Sequence, residues 1–484
     1  MIKNWHILNK RKCGKIKLHL RCIMNESRRL ILNENQRIEK KQYVIYWMQQ
    51  SQRIHFNHAL NEAIQYGNGK NLPIVIFFNL TPHYPEANER HYTFMLEGLK
   101  EVSRISAHFK MTFVIKIGNP AEEIKSLLND AEALFMDKGY LNIQKEMRQE
   151  VLKYIFDQER DLHVEMIDTD LMIPVEIASQ KVEYGAYTIR PKIRKLIENF
   201  RDFFHLHVVK NQTILNIKSD HDLDDIKQLV TQLSIDHTVK KSPIYHGGYI
   251  EGMKLFHEFV SEKINRYPES NDPSLNLTSK LSMYLHFGQI SSLELYERLY
   301  KLTLQHQITG EAFDGFIEQL IIRRELAHNY VYYQKGYDKF ETMTEPWAYQ
   351  TMELHHEDLR NYLYSIEDYI NFKTHDSYFN AAMKEMVFTG YMHNYMRMYW
   401  AKKIIEWSNT HKEAFETITY LNNKYFIDGR DANSFTGIAW CFGKHDRPWQ
   451  DRPIFGKLRY MNQAGLLRKF DMEPYVNLMN LFTK

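Results

Sequence analysis

Apolar runs of strand length recur from residue 43 onward, at Tyr43–Trp47, Leu72–Leu80, Met111–Ile117, Ala133–Met136 and Leu162–Ile167. The runs are continuous rather than alternating, so each strand is to be buried on both faces. Stretches with helical spacing lie between them, at Asn57–Tyr66, Glu86–Phe109, Ala121–Leu128 and Ile143–Phe156. Strands alternating with helices predict a Rossmann-like parallel sheet, an α/β domain over residues 42–173. The chain contains neither GxGxxG nor GxxxxGK[ST], which excludes the conventional dinucleotide and P-loop phosphate sites. Residues 174–250 lose the periodicity and are broken by Pro191 and Pro243, as a connector would be. Within it, YGAYTIRPKI (184–193) is aromatic and basic enough to be ordered. From residue 251 almost to the end the pattern is helical, giving an all-helical domain over 251–484.

The stretch Thr389–Asp471 carries the most chemistry. Gly390 to Ser408 contains no proline and predicts one helix. Trp400 and Trp407 are two turns apart on one face, about 10 Å along the axis, with Arg397 one turn before Trp400. A tight acidic turn follows at Asp428–Asp431, then a loop with Trp440 and a run of alternating basic and aromatic residues. This order suggests the wall of a pocket for a flat aromatic cofactor, then a lid and a polyanion surface. Burial habit alone favours both tryptophans as plain core residues.

Charge narrows the partner class. Residues 1–41 hold 12 Lys/Arg against 3 Asp/Glu, leaving 51 against 57 for the rest. The body is therefore no general nucleic-acid binder, and contact with DNA must be local. Such a patch lies between Lys444 and Lys469, with 7 basic and 2 acidic residues, among them Lys444, Arg447, Arg452, Lys457 and Arg459. The first 41 residues read as a basic arm, more often a solvated tail than a DNA clamp, and Met24 is a second candidate start. Cys13, Cys22 and Cys441 make no CxxC and no even framework, so a reducing compartment is expected, without zinc or disulfides. His355-His356, His393 and His445 lack ligand spacing, and no metal is expected. Without a membrane-length apolar run or a signal-like leader, a cytoplasmic monomer is the expectation.

Several longer motifs fall in a familiar order: VIYWMQQSQR, YTFMLEGLKEV, EYGAYTIRPK, YLHFGQISS, RRELAHNY, MHNYMRMYWAKKIIEW, YLNNKYFIDGRD and RPIFGKLRYMNQAG. Through them the chain resembles the class II cyclobutane pyrimidine dimer photolyases of the photolyase/cryptochrome superfamily, from about Gln42 to Asp471. The resemblance implies an antenna-type α/β domain, a connector and a helical domain holding bent FAD. By position, Ser279, Leu281 and Ser282 resemble the FAD phosphate turn, with Tyr267 and Gln289 nearby. Arg397 and Asp428 resemble the ion pair beside the isoalloxazine, Asn422 the asparagine facing flavin N5, and Asp431 a contact at the ribose or adenine end. Asn422 is expected to serve either protonation state of N5, since an amide offers both donor and acceptor.

The implied reaction is light-driven. Excited reduced FAD lends one electron to a flipped-out dimer in UV-damaged DNA, the ring splits, and the electron returns. Trp440 and Met398 would form the floor under the dimer. A deazaflavin or folate antenna, or none, is compatible with the α/β domain. Three positions depart from the family pattern: Gln319 replaces a glutamate that bonds a lesion base, Ser270 replaces a gap-filling arginine, and Phe379 replaces the middle member of a tryptophan relay that includes Trp400 and Trp407. Glu318 is expected to point about 100° away from Gln319 on a helix. Photoreduction is then expected to be slow, or to detour through Tyr378 or Tyr399. A non-repairing photoreceptor of cryptochrome type is the rival reading.

Overall fold

The computed structural model describes residues 24–34, 41–202 and 206–482. A six-stranded sheet lies at the N-terminal end, in the order β1-β6-β5-β2-β3-β4. Its strands are β1 (Arg29–Asn33), β2 (Tyr43–Met48), β3 (Ile74–Leu80), β4 (Thr112–Ile117), β5 (Ala131–Asp137) and β6 (His163–Ile167). Strands β2 to β6 pair in parallel, with Tyr46 between Ile76 and Phe135. Every residue of β2 and β5 is buried; β2 is apolar throughout, and β5 buries Glu132 and Asp137 beside its apolar run. The faces are covered by α1 (His58–Lys70), α2 (Glu89–His108) and α3 (Asn142–Asp157).

Strand β1 corrects the reading of residues 1–41 as an arm. It pairs antiparallel with β6 along the sheet edge. Arg28 just before it is fully buried, forming an ion pair with Asp202 at 2.9 Å and donating to the carbonyls of Leu171 and Met172. The strand escaped notice because RLILN is short and none of its residues is fully buried. Residues 1–23 and 35–40, with Cys13 and Cys22, lie outside the described residues.

The connector is not a loose tether. Its helix α4 (Ala186–Leu196) buries Ile189 and Ile193 in the core of the helical domain. The two domains are joined by buried polar contacts. Asp170, beyond β6, pairs with Arg324 at 2.6 Å, and the Ile173 amide donates to Glu325. Burial would raise the Asp170 carboxyl, but Arg324 and His328 hold it at about 2. Burial pushes Glu325 up to about 8.

The helical domain includes α5 (Tyr249–Glu262), α6 (Ser292–Leu304), α7 (Gly310–Ile317), α8 (Arg324–Tyr333), α9 (Ser377–Lys384), α10 (Asn394–Trp407), α11 (His411–Tyr425) and α12 (Ala432–Cys441). Single π-helical turns, at Glu318–Arg323 and Glu385–Thr389, run into α8 and out of α9. Helix α10 begins at Asn394, four residues later than Gly390. Gly390 adopts φ 82° to end the preceding turn, and the His393 side chain accepts from the Tyr395 amide as the new N-cap. No helix among the described residues is long and apolar enough to cross a membrane.

Candidate functional site

A cavity of about 920 Å³ opens in the helical domain. Its walls are the turn Thr278–Ser282, the π-helical turn at Glu318, the N-terminal half of α10, the end of α11, the turn Asp428–Asp431, and α12. Tyr267, Ser279, Leu281, Ser282, Gln319, Arg397, Met398, Trp400, Asn422, Asp428, Asp431 and Trp440 all line it, as does Ser270. Residues up to 173 apart in sequence thus meet at one opening.

The wall is electrostatically organised. Arg397 pairs with Asp428 at 2.9 Å, and its guanidinium lies 4.0 Å from the Phe426 ring centroid. Asp431 caps α12 through the Asn433 amide and meets His286 Nδ1 at 3.1 Å. Burial opposes its ionisation, but His286, His328 and Arg324 hold its carboxyl far below the ordinary range. Tyr267 packs edge-on against Phe259 and Phe316, and burial pushes its phenol up to about 12. His393, brought down to about 4 by burial, hydrogen-bonds the Ser270 carbonyl at 2.9 Å. The helix Ser282–His286 starts without a side-chain cap, so Ser279 and Ser282 are not spent as ordinary caps; Thr278 meets the Tyr391 hydroxyl at 2.9 Å.

The mouth is aromatic and basic. Arg459 is sandwiched between Trp440 and Trp449, 4.9 and 4.4 Å from their ring centroids, and pairs with Asp446. Arg447, Arg452 and Lys457 are exposed around it. A stacked cation beside an accessible indole suits an aromatic, anionic polymer.

Not every expected residue reaches the cavity. Gln289 is fully buried elsewhere: it accepts from the Gly248 amide and donates to the Phe94 carbonyl, locking the helical domain onto α2. Gly98 of α2 permits that approach, since a Cβ there would come within 2.3 Å of the Gln289 amide nitrogen. Lys444 is only 2% exposed, paired with Glu345 and lying over Tyr330, so it cannot meet DNA. Trp407 and Phe379 sit behind the wall, edge-on at 5.0 Å, with Phe379 also 5.3 Å from Tyr369. Glu318 does line the cavity, at the start of a π-helical turn, and Arg190 holds it at 2.7 and 2.8 Å. Tyr391 and Lys280 were missed. Lys280 lay inside a recognised stretch, whereas nothing in the spacing of Tyr391 marked it.

A two-domain architecture with this cavity in its helical half defines a known class of protein. Residues 44–210 match the DNA photolyase family. The sequence is 40% identical over 438 residues to the deoxyribodipyrimidine photo-lyase of Methanothermobacter thermautotrophicus, covering 90% of this chain and 94% of that protein. It is 36% identical to the deoxyribodipyrimidine photo-lyase of Arabidopsis thaliana, covering 90% and 88%, and 33% to that of Potorous tridactylus, covering 92% and 83%. The chain belongs to the DNA photolyase family. Its fold is shared with a class III photolyase of Agrobacterium tumefaciens (TM-score 0.70, 16% identity, 92% and 87% covered) and a Synechocystis cryptochrome (0.69, 14%, 91% and 89%). A Sulfolobus tokodaii photolyase solved with two FAD molecules also shares it (0.65, 16%, 90% and 89%).

Proposed function

We propose that this protein is a class II deoxyribodipyrimidine photolyase that uses light and FAD to split cyclobutane pyrimidine dimers in DNA. The observation that carries the reading is a single cavity joining a phosphate-type turn, a half-buried Arg397–Asp428 pair and Asn422 to the aromatic, basic mouth at Trp440. The residues fit the cofactor. The volume suits a dinucleotide, and α12 turns Gly437 toward the cavity where an added Cβ would meet nothing within 4 Å.

Tyr267, Ser279, Leu281 and Ser282 would hold the phosphates, Arg397, Asp428 and Asn422 the ring system, and Asp431 the opposite end. Bound FAD, when reduced and light-excited, supplies one electron to the dimer and recovers it after the ring opens. Trp440 and Met398 form the floor on which the extruded pyrimidines rest. Gln319 offers a neutral hydrogen bond to a lesion base, weaker than the charge-assisted bond of a carboxylate. Arg447, Arg452, Lys457 and Arg459 neutralise phosphates around the lesion. We place the protein in the cytoplasm as a monomer, with a second chromophore in the α/β domain as an optional antenna.

Gln319 and Ser270 give some support to a photoreceptor that does not repair. A dimer-containing oligonucleotide, incubated with purified protein in blue light and in the dark, separates the readings. Dimer loss in light alone supports repair. Flavin photochemistry without lesion binding supports the receptor, and lesion binding without dimer loss refutes both.

A further inference from the structure

The segment Glu86–His91 of the α/β domain grips the turn between α11 and α12. Asn88 donates to the Lys424 carbonyl at 2.7 Å, Arg90 to that of Tyr425 at 2.8 Å, and His91 Nε2 meets that of Phe426 at 3.0 Å. Asn423, one residue beyond the cavity-lining Asn422, donates through Nδ2 to the Glu86 carboxylate. Its Oδ1 accepts from the Arg430 amide at 3.0 Å and from Asn422 Nδ2 at 2.9 Å. Glu86 and Arg430 both hold left-handed backbone, φ 58° and 59°, to make these contacts. Backbone strain of this kind persists where surrounding structure enforces it.

The polarity of this chain is forced. A carboxylate only accepts and a peptide N–H only donates. Glu86 therefore fixes the NH₂ of Asn423 toward itself, and Arg430 fixes its oxygen on the opposite side. That oxygen can take only a donor from Asn422. The Asn422 amide is thus oriented by its nitrogen, which gives one of its two N–H groups to Asn423, and its carbonyl oxygen is turned to the side away from Asn423.

We propose that Glu86 is a positioning residue. Through Asn423 it holds Asn422 as a hydrogen-bond acceptor toward the cavity, selecting the reduced form of the bound flavin. The inference rests on the flavin reading, with N5 at Asn422. Reduced flavin carries a hydrogen on N5 that a carbonyl accepts, whereas oxidised flavin offers a lone pair that a carbonyl repels. An amide free to turn would present N–H and favour the oxidised form. The α/β domain thereby sets the redox preference of a site in the other domain.

The test compares Glu86→Ala, Asn423→Leu and the conservative Glu86→Gln, whose side-chain oxygen still accepts. Two quantities are read: hydrogen exchange of the ¹⁵N-labelled Asn422 side-chain amide, and the flavin midpoint potential in an anaerobic dithionite titration. Glu86→Ala and Asn423→Leu are expected to speed exchange. At a fixed applied potential they are expected to lower the reduced-to-oxidised ratio about five- to tenfold, the scale of one hydrogen bond. Glu86→Gln is expected to restore both. Wild-type exchange in Glu86→Ala overturns the relay, and faster exchange with an unchanged midpoint overturns its effect on the flavin. A Glu86→Gln protein as displaced as Glu86→Ala shows that charge, not acceptor geometry, is responsible, and also overturns it. Wild-type protein that takes up no flavin would remove the functional reading instead, and amide exchange would still decide the relay.

Discussion

At the residue scale, Phe379 and Trp440 invite opposite tests. Phe379 is sealed between Tyr369 and Trp407, so a wider ring must find room among side chains that are themselves buried. Trp400 donates its indole N–H to Met383 Sδ at 3.0 Å and lines the cavity, whereas Trp407 lies deeper. Phe379, in edge-on contact with Trp407, is a poor electron donor. Phe379→Trp is expected to speed light-driven flavin reduction, and flash spectroscopy on oxidised protein checks it; an unchanged rate would show that the hole already leaves by another route. Of the two tyrosines expected as detours, Tyr399 is fully buried, and its hydroxyl donates to Asp376. Trp440→Ala removes the stacking surface at the mouth. It is expected to weaken binding of dimer-containing DNA by about 1–3 kcal/mol, measured as a change in Kd against the undamaged oligonucleotide.

At the element scale, strands β2 to β6 were plain in the sequence because buried parallel strands carry apolar runs on both faces instead of an alternating pattern. Helix α10 was visible from its lack of proline, but its first turn was misplaced. Gly390 and His393 act through backbone geometry and a cap, which leave little trace in hydrophobic spacing. The π-helical turn at Glu318–Arg323 was invisible for the same reason: one inserted residue preserves the composition while changing which side chains face the cavity. The segment near the mouth offers a pH test. His411, at the start of α11, hydrogen-bonds the Ile454 carbonyl, and burial brings it down to about 4, with nearby Arg360 adding to the effect. A depressed base stabilises the fold fully above its unfolded value near 6.5, and that stability is lost between 6.5 and about 4. His411→Gln keeps a donor but does not titrate. Wild type is expected to lose up to about 3 kcal/mol more than His411→Gln between pH 7 and 4.5, by urea unfolding. Equal losses would exclude this histidine as the source.

At the scale of the whole molecule, the division of charge was the most useful feature of the sequence, and also where it misled. Counting cations from Lys444 to Lys469 marked a segment exposed at Arg447, Arg452 and Lys457 but could not see that Lys444 is folded inward onto Glu345 and Tyr330. Substituting Arg452 or Lys457 is expected to lower the salt dependence of DNA affinity by about one unit of slope each. Lys444→Met is expected to leave that slope unchanged while lowering Tm, since it strands Glu345; equal slopes for all three would place the DNA elsewhere. The domain contacts through Gln289, Arg324 and Glu86 were equally hidden, because they join residues far apart in sequence through polar groups rather than an apolar pattern.

The central claim is that one cavity brings a reduced flavin and an extruded dimer within electron-transfer reach. The fluorescence lifetime of reduced, FAD-loaded protein tests it most directly, measured with dimer-containing and undamaged oligonucleotides of the same sequence. The account predicts a shorter lifetime with the dimer alone, and loss of that shortening in Trp440→Ala at equal concentrations. A lifetime indifferent to the dimer at saturating DNA would contradict it.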